Sequence, residues 1–262
     1  MKIMIISIVV TYVVLLFLAY FISDSMAFLP PLAGYQNSPE LVKLLTADGT
    51  SIFAYYLPNK NAKYTLLVSH GNAEDIGYML PFLIEMRDHG FSVFAYDYHG
   101  YGLSGGKPTE TNTYLDIEAA YAYLTRDLHL APENIIVYGH SIGAALALDL
   151  AVRQPVAGVI LQGAFVTAFR VMTQIPLLPF DKFDNLKKIK LLQAPLLMIH
   201  GGIDGVIPIW HGKKLYGAAV APKEFYLVKN AGHNDVAVVA GEEYWQTITS
   251  FIRRNISERG HP

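Results

Sequence analysis

With 262 residues, 20 basic and 22 acidic side chains and a formal net charge of −2, the chain is long enough for one α/β domain around a large core. It lacks the basic excess that nucleic-acid binding requires. It contains no cysteine, which excludes disulfides, thiolate metal sites and a cysteine nucleophile, and its nine histidines form no H-E-x-x-H or comparable cluster. No metal and no cofactor is expected.

The first element in chain order is the run Ile3 to Ile22, which carries no charge. As a helix it would be about 30 Å long, close to the hydrocarbon thickness of a bilayer. Residues 1–25 therefore read as a retained signal anchor, a single transmembrane helix contacting lipid through residues 3–22. A cleaved signal peptide is the rival reading, because Ser25-Met26-Ala27 supplies small residues for a peptidase, but its apolar region usually spans only about 7–15 residues. A buried core helix is the third reading, and no polar residue marks an outward face for it. Lys2 precedes the run, Asp24 follows it, and the next basic residue is Lys43. That asymmetry points to a catalytic domain on the non-cytoplasmic side. Residues 26–38, with Pro30-Pro31 and Gly34, read as a short stiff linker, and the domain as residues 39–258.

Within the domain, Glu40 to Thr46 and Ser51 to Leu57 read as a hairpin turning at Asp48-Gly49. Further strands are expected at Thr65–Ser69, Phe91–Tyr96, Ile135–Tyr138, Ala157–Leu161, Leu196–His200 and Glu224–Val228. Helices are expected around Ile76–Asp88, Thr113–Asp127, Ile142–Arg153, Ile209–Ala218 and Glu242–Asn255. The alternation, with near-continuous apolar strands such as Leu196-Leu197-Met198-Ile199, predicts a doubly wound, mostly parallel sheet with an antiparallel N-terminal hairpin. Ligands in such sheets bind at the C-terminal strand ends.

Gly139-His140-Ser141-Ile142-Gly143 joins a β-branched strand to an alanine-rich helix, the context of a G-x-S-x-G nucleophile elbow. Asp204 follows the strand Leu196–His200, and His233 follows Glu224–Val228. A serine hydroxyl becomes nucleophilic only when a base takes its proton, imidazole suits that task, and a carboxylate fixes the imidazole tautomer. Ser141, Asp204 and His233 are accordingly the candidate nucleophile, acid and base. Asp235 is a rival acid, better read as a helix N-cap or loop partner, and Asp97 is the third choice. The loop Ser69-His70-Gly71-Asn72-Ala73 supplies an oxyanion hole, with the backbone N–H groups of Asn72 and Ile142 as donors and Ala73 as a weaker candidate than Asn72.

These motifs resemble those of the α/β-hydrolase-fold serine hydrolases. More closely, the chain is similar to the membrane-anchored group that includes fungal and bacterial Bem46-like proteins and animal depalmitoylating enzymes. Tyr96 to Pro108 resembles that group's loop after the fourth strand, Asp116 to Ala120 its next helix, and the similarity runs from about Glu40 to Ile252. The resemblance assigns Ser141, Asp204 and His233 the triad roles. The animal depalmitoylases carry a cysteine-rich lipidated N-terminus, and this chain departs from that pattern by having no cysteine.

Gly100-Tyr101-Gly102-Leu103-Ser104-Gly105 matches a dinucleotide fingerprint, but Lys107-Pro108 stops a helix from opening there, so a strand-end turn is the better reading. His140 and His99 are expected to line the pocket, and Asp116 and Glu118 to lie on a solvated helix face. A small lid insert is expected at about 164–190, where Phe165, Phe169 and Met172 would line an acyl site, although simple core packing explains these residues equally well. The resulting function is a carboxylic ester hydrolase working through an acyl-Ser141 intermediate on a small acyl ester or an acylated protein. A protein S-acyl thioesterase is the alternative within enzymes, and a membrane-tethered interaction module on a hydrolase fold is the alternative outside them.

Overall fold

The computed structural model of the protein describes residues 2–173, 175 and 178–257. The first helix, α1 (Lys2–Ala27), contains the uncharged run, and Met4, Ile5, Ile6, Ile8, Val10 and Phe17 are all more than half exposed on it. Among the described residues no helix is long and apolar enough to cross a membrane, and the predicted span has no structural confirmation. The segment after α1, expected to be a linker, is instead packed on the domain. Phe28 is buried with its ring edge against Phe183, and the Gly34 N–H donates to the Asp75 carboxylate at 2.6 Å.

The hairpin forms as β1 (Leu41–Leu45) and β2 (Ser51–Leu57), antiparallel with Leu44 opposite Ile52. Then follow β3 (Thr65–Ser69), α2 (Ile76–Asp88), β4 (Ser92–Tyr96) and α3 (Glu110–Ala122). Next come β5 (Ile135–His140), α4 (Ile142–Arg153), β6 (Gly158–Gln162), the short α5 (Ala168–Met172) and α6 (Asn185–Lys188), and β7 (Leu196–Gly201). The chain ends through α7 (Trp210–Ala218), β8 (Lys223–Val228), α8 (Val236–Ala240) and α9 (Glu242–Ile252). The sheet order is β1-β2-β4-β3-β5-β6-β7-β8, antiparallel from β1 through β2 to β4 and parallel elsewhere. This is the predicted doubly wound α/β-hydrolase architecture.

Alternate side chains of the central strands feed two apolar layers, as the period of two demands. Leu67, Val137, Leu161 and Met198 join Ile117 and Leu146 on one face. Leu66, Tyr138, Ile160 and Ile199 meet Leu83 and Phe251 on the other. Helix α3 begins three residues earlier than its apolar periodicity suggests, because the Thr109 hydroxyl accepts the Asn112 N–H at 3.1 Å and caps it. Asp116, expected in solvent, is fully buried. It shares a face with Thr113, Ile117 and Ala120, at the spacings that bring helical residues onto one stripe, and its carboxylate is paired with His99. Glu118 does stay partly exposed, held by Arg153 and Gln154.

Candidate active site

The elbow has the strained geometry its sequence demands. Ser141 sits between β5 and α4 at φ +55°, ψ −116°, outside the comfortable range of an L-residue. A Cβ on Gly143 would lie 2.2 Å from the Ser69 carbonyl oxygen, and one on Gly139 would lie 2.3 Å from the Gly143 carbonyl oxygen. Only glycine lets the turn close against β3. The Ser141 N–H donates to the Gln162 carbonyl at 2.9 Å, which ties the elbow to β6.

Three loops from separate strand ends converge on this serine. His233, past β8, has Nε2 at 2.9 Å from Ser141 Oγ and Nδ1 at 2.7 Å from Asp204 Oδ2, past β7. An ionised carboxylate only accepts, so Nδ1 carries the hydrogen and Nε2 presents its lone pair to the serine hydroxyl. The other oxygen of Asp204 accepts the Val206 N–H at 2.9 Å and the Ile207 N–H at 2.7 Å. Burial pushes the Asp204 carboxyl up, but hydrogen bonds from His233 and Ile207 outweigh it and hold the group below the usual carboxylate range. Asp204 therefore stays ionised at neutral pH. Nearby His200 is held below the usual imidazole range by burial, and its Nε2–H donates to the Ile207 carbonyl at 2.8 Å.

The rival acids take other positions. The Asp235 carboxylate accepts the Gly232 N–H at 2.7 Å, and Asp235 itself precedes α8, so it is the loop partner the sequence suggests. Asp97 accepts the Tyr35 hydroxyl at 2.5 Å and the Ile76 N–H at 2.9 Å. His140 stands beside the set, its ring 5.0 Å from that of His233. His99 does not line the site, because Asp116 and Asp48 occupy its two ring nitrogens at 2.5 and 3.2 Å.

The His70-Gly71-Asn72 loop faces the elbow with two donors already spent. The Gly71 N–H goes to Glu74 at 2.6 Å and the Ala73 N–H to the Asn72 side chain at 3.1 Å. Among the described residues the Asn72 N–H has no acceptor, and Ile142 opens α4, where no intrahelical acceptor exists. Asn72, rather than Ala73, therefore has a donor to offer.

The predicted acyl lining does not assemble. Phe165 is buried against Phe183, Phe169 meets Phe180, and Met172 is 84% exposed. Phe165 precedes α5 and points into the core, while Met172 on α5 faces solvent, so the three side chains take different environments. Gln174, Pro176 and Leu177 of the insert, and Glu258 at the predicted domain end, lie outside the described residues.

Sequence reasoning also misses Gly163. It follows β6 at φ +60°, and a Cβ there would come within 2.9 Å of His233 Cε1, so the absence of a side chain makes room for the imidazole. Nothing in the local pattern distinguishes it from any other strand-end glycine.

Comparison with known proteins gives the family. The family model described as "Serine aminopeptidase, S33" matches residues 60–183. The human "Alpha/beta hydrolase domain-containing protein 17B" is 41% identical over 215 residues, covering 80% of this chain and 74% of that protein. The chain belongs to the alpha/beta hydrolase domain-containing protein 17 family. It is a hydrolase of that family. A Xenopus tropicalis family member, protein 17C, is 40% identical over 224 residues, covering 84% of this chain and 72% of its own length. Among solved structures, the Pyrococcus furiosus esterase Pf2001 superposes with a TM-score of 0.74 at 21% identity, over 87% of this chain and 99% of that one, a likeness of fold.

Proposed function

We propose that the protein cleaves acyl esters by nucleophilic catalysis at Ser141. The observation that carries this reading is the unbroken chain from Ser141 Oγ through His233 to Asp204, with contacts of 2.9 and 2.7 Å. In acylation the Oγ proton passes to His233 Nε2 as Oγ bonds to the substrate carbonyl carbon. The oxyanion so formed lies before the N–H groups of Asn72 and Ile142, each stabilising it by about 2.7–4 kcal/mol. Collapse breaks the bond to the leaving group, which takes the proton from Nε2. Water then attacks the acyl-serine by the same route and releases the acid. Asp204 stays ionised and stabilises the imidazolium in both steps.

The same steps serve a thioester, and the family relationship favours an acylated protein as substrate alongside a small ester. Attachment to a bilayer through residues 3–22 is supported by the uncharged run and by the exposed apolar side chains of α1, with the domain outside the cytoplasm. The test is Ser141→Ala, which should abolish hydrolysis of both a p-nitrophenyl acyl ester and an acyl-cysteine peptide of equal chain length. Retained turnover of either sinks the proposal, and the ratio of the two in the unsubstituted protein ranks ester against thioester.

A further inference from the structure

The Asn72 side chain is fully engaged by residues remote in sequence. Its Oδ1 accepts the Leu29 N–H at 2.8 Å and the Tyr101 hydroxyl at 2.6 Å, and its Nδ2 donates to the Ala27 carbonyl at 2.9 Å. The amide orientation follows from these partners, since rotation by 180° would point Nδ2 at two donors and Oδ1 at a carbonyl. Only an amide satisfies this set, because an aspartate in its place has nothing to donate to Ala27. The same Oδ1 also takes the Ala73 N–H, at a residue held at φ +58°. The side chain thus sets the conformation of the turn that carries the Asn72 N–H, in the loop whose Ser69 and His70 backbone lies against Gly143 of the elbow.

The strap that holds it is anchored on its other side. Phe28, between the two bonded residues, is buried against Phe183 at 6.0 Å between ring centroids, and Asp24 pairs with Lys182 at 2.8 Å. Residues 24–29 therefore run from the lid insert to the oxyanion loop, directly at the end of α1. Resting on the reading of Ser141 as the nucleophile, we infer that Asn72 is a positioning residue whose side chain, clasped by Ala27, Leu29 and Tyr101, aims the Asn72 N–H at the oxyanion. The segment leaving α1 is by this inference a working part of the active site, so a displacement of that helix is transmitted to the oxyanion donor.

The test uses the full chain in detergent with a p-nitrophenyl acyl ester. Asn72→Ala should lower kcat by about 100-fold, the scale of a misplacement near 1 Å, with KM within about 2-fold. Affinity for an acyl trifluoromethyl ketone, which mimics the tetrahedral oxyanion, should fall in parallel with kcat/KM. Asn72→Asp should not rescue. Tyr101→Phe, which deletes a single hydroxyl, should give a smaller loss in the same direction. Unchanged kcat in Asn72→Ala while Ser141→Ala is inactive overturns the inference alone. So does a loss that tracks only the folded fraction, with Tyr101→Phe unaltered, or full activity in Asn72→Asp. Turnover by Ser141→Ala would overturn the underlying reading instead.

Discussion

Two buried histidine–aspartate pairs stand beyond the C-terminal strand ends of one sheet and differ in what meets the second ring nitrogen. In His233–Asp204 the free nitrogen faces the Ser141 hydroxyl at 2.9 Å. In His99–Asp116 it faces a second carboxylate, Asp48, at 3.2 Å. A hydroxyl both donates and accepts, so His233 can hold a lone pair there and take a proton. Ionised carboxylates only accept, so with both ionised His99 is satisfied as the imidazolium, although burial also raises the Asp116 carboxyl above its usual value. Burial works against that charge, yet the bonds and charges of Asp116 and Asp48 outweigh it and raise His99 above the usual imidazole value. The same pairing of residue types thus leaves a ring nitrogen facing a hydroxyl in one place and clamps the β1–β2 turn to α3 in the other.

The sharpest way to break this contrast is to neutralise each aspartate in turn. Asp204→Asn should cut kcat by about 10⁴-fold, because the amide no longer holds the imidazole in the productive tautomer. Asp116→Asn should instead leave a buried imidazolium short of its partner and lower unfolding stability by about 3–5 kcal/mol, read from urea unfolding. A large kcat loss with unchanged stability in Asp116→Asn would erase the distinction. Gly163→Ala, which presses a methyl group on the His233 ring from a left-handed backbone position, should lower kcat/KM by roughly 10- to 100-fold in steady-state assays. The smallest effect concerns pH. Because the folded-state value of His99 is raised, its contribution to stability is complete below about pH 6.5 and is lost as pH rises through the folded value. The Tm difference between the unsubstituted protein and His99→Gln should therefore be widest below pH 6.5 and narrow on the alkaline side. A gap that widens with pH would contradict the clamp.

Much of this was legible in the sequence because its signals are local. The β-branched run ahead of Gly139 marks β5 and the near-continuous apolar run Leu196-Leu197-Met198-Ile199 marks β7, the G-x-S-x-G spacing marks the elbow, and Ser141, Asp204 and His233 follow the ends of β5, β7 and β8. The rest depends on partners far apart in the chain. Asn72 is recognisable as loop backbone, but its side chain is held by Ala27 and Leu29, more than forty residues away. Pro30-Pro31 reads as a linker until Phe28 is seen to be buried. Asp116 looks like a polar surface residue, although its spacing from Ile117 and Ala120 puts it on the apolar stripe, and only the position of His99 explains why a carboxylate is tolerated there. The insert carries apolar residues that pack on one another instead of forming a channel, a choice the composition leaves open.

The central claim is that Ser141 carries the acyl group between two half-reactions. Rapid-quench mass spectrometry during turnover of a slowly deacylated p-nitrophenyl ester tests it directly. The account predicts a burst of p-nitrophenol matched by an acyl mass on the peptide containing Ser141, absent in His233→Ala. Full turnover with the acyl mass on another residue, or with no adduct and no burst under conditions where deacylation is demonstrably slow, would contradict it.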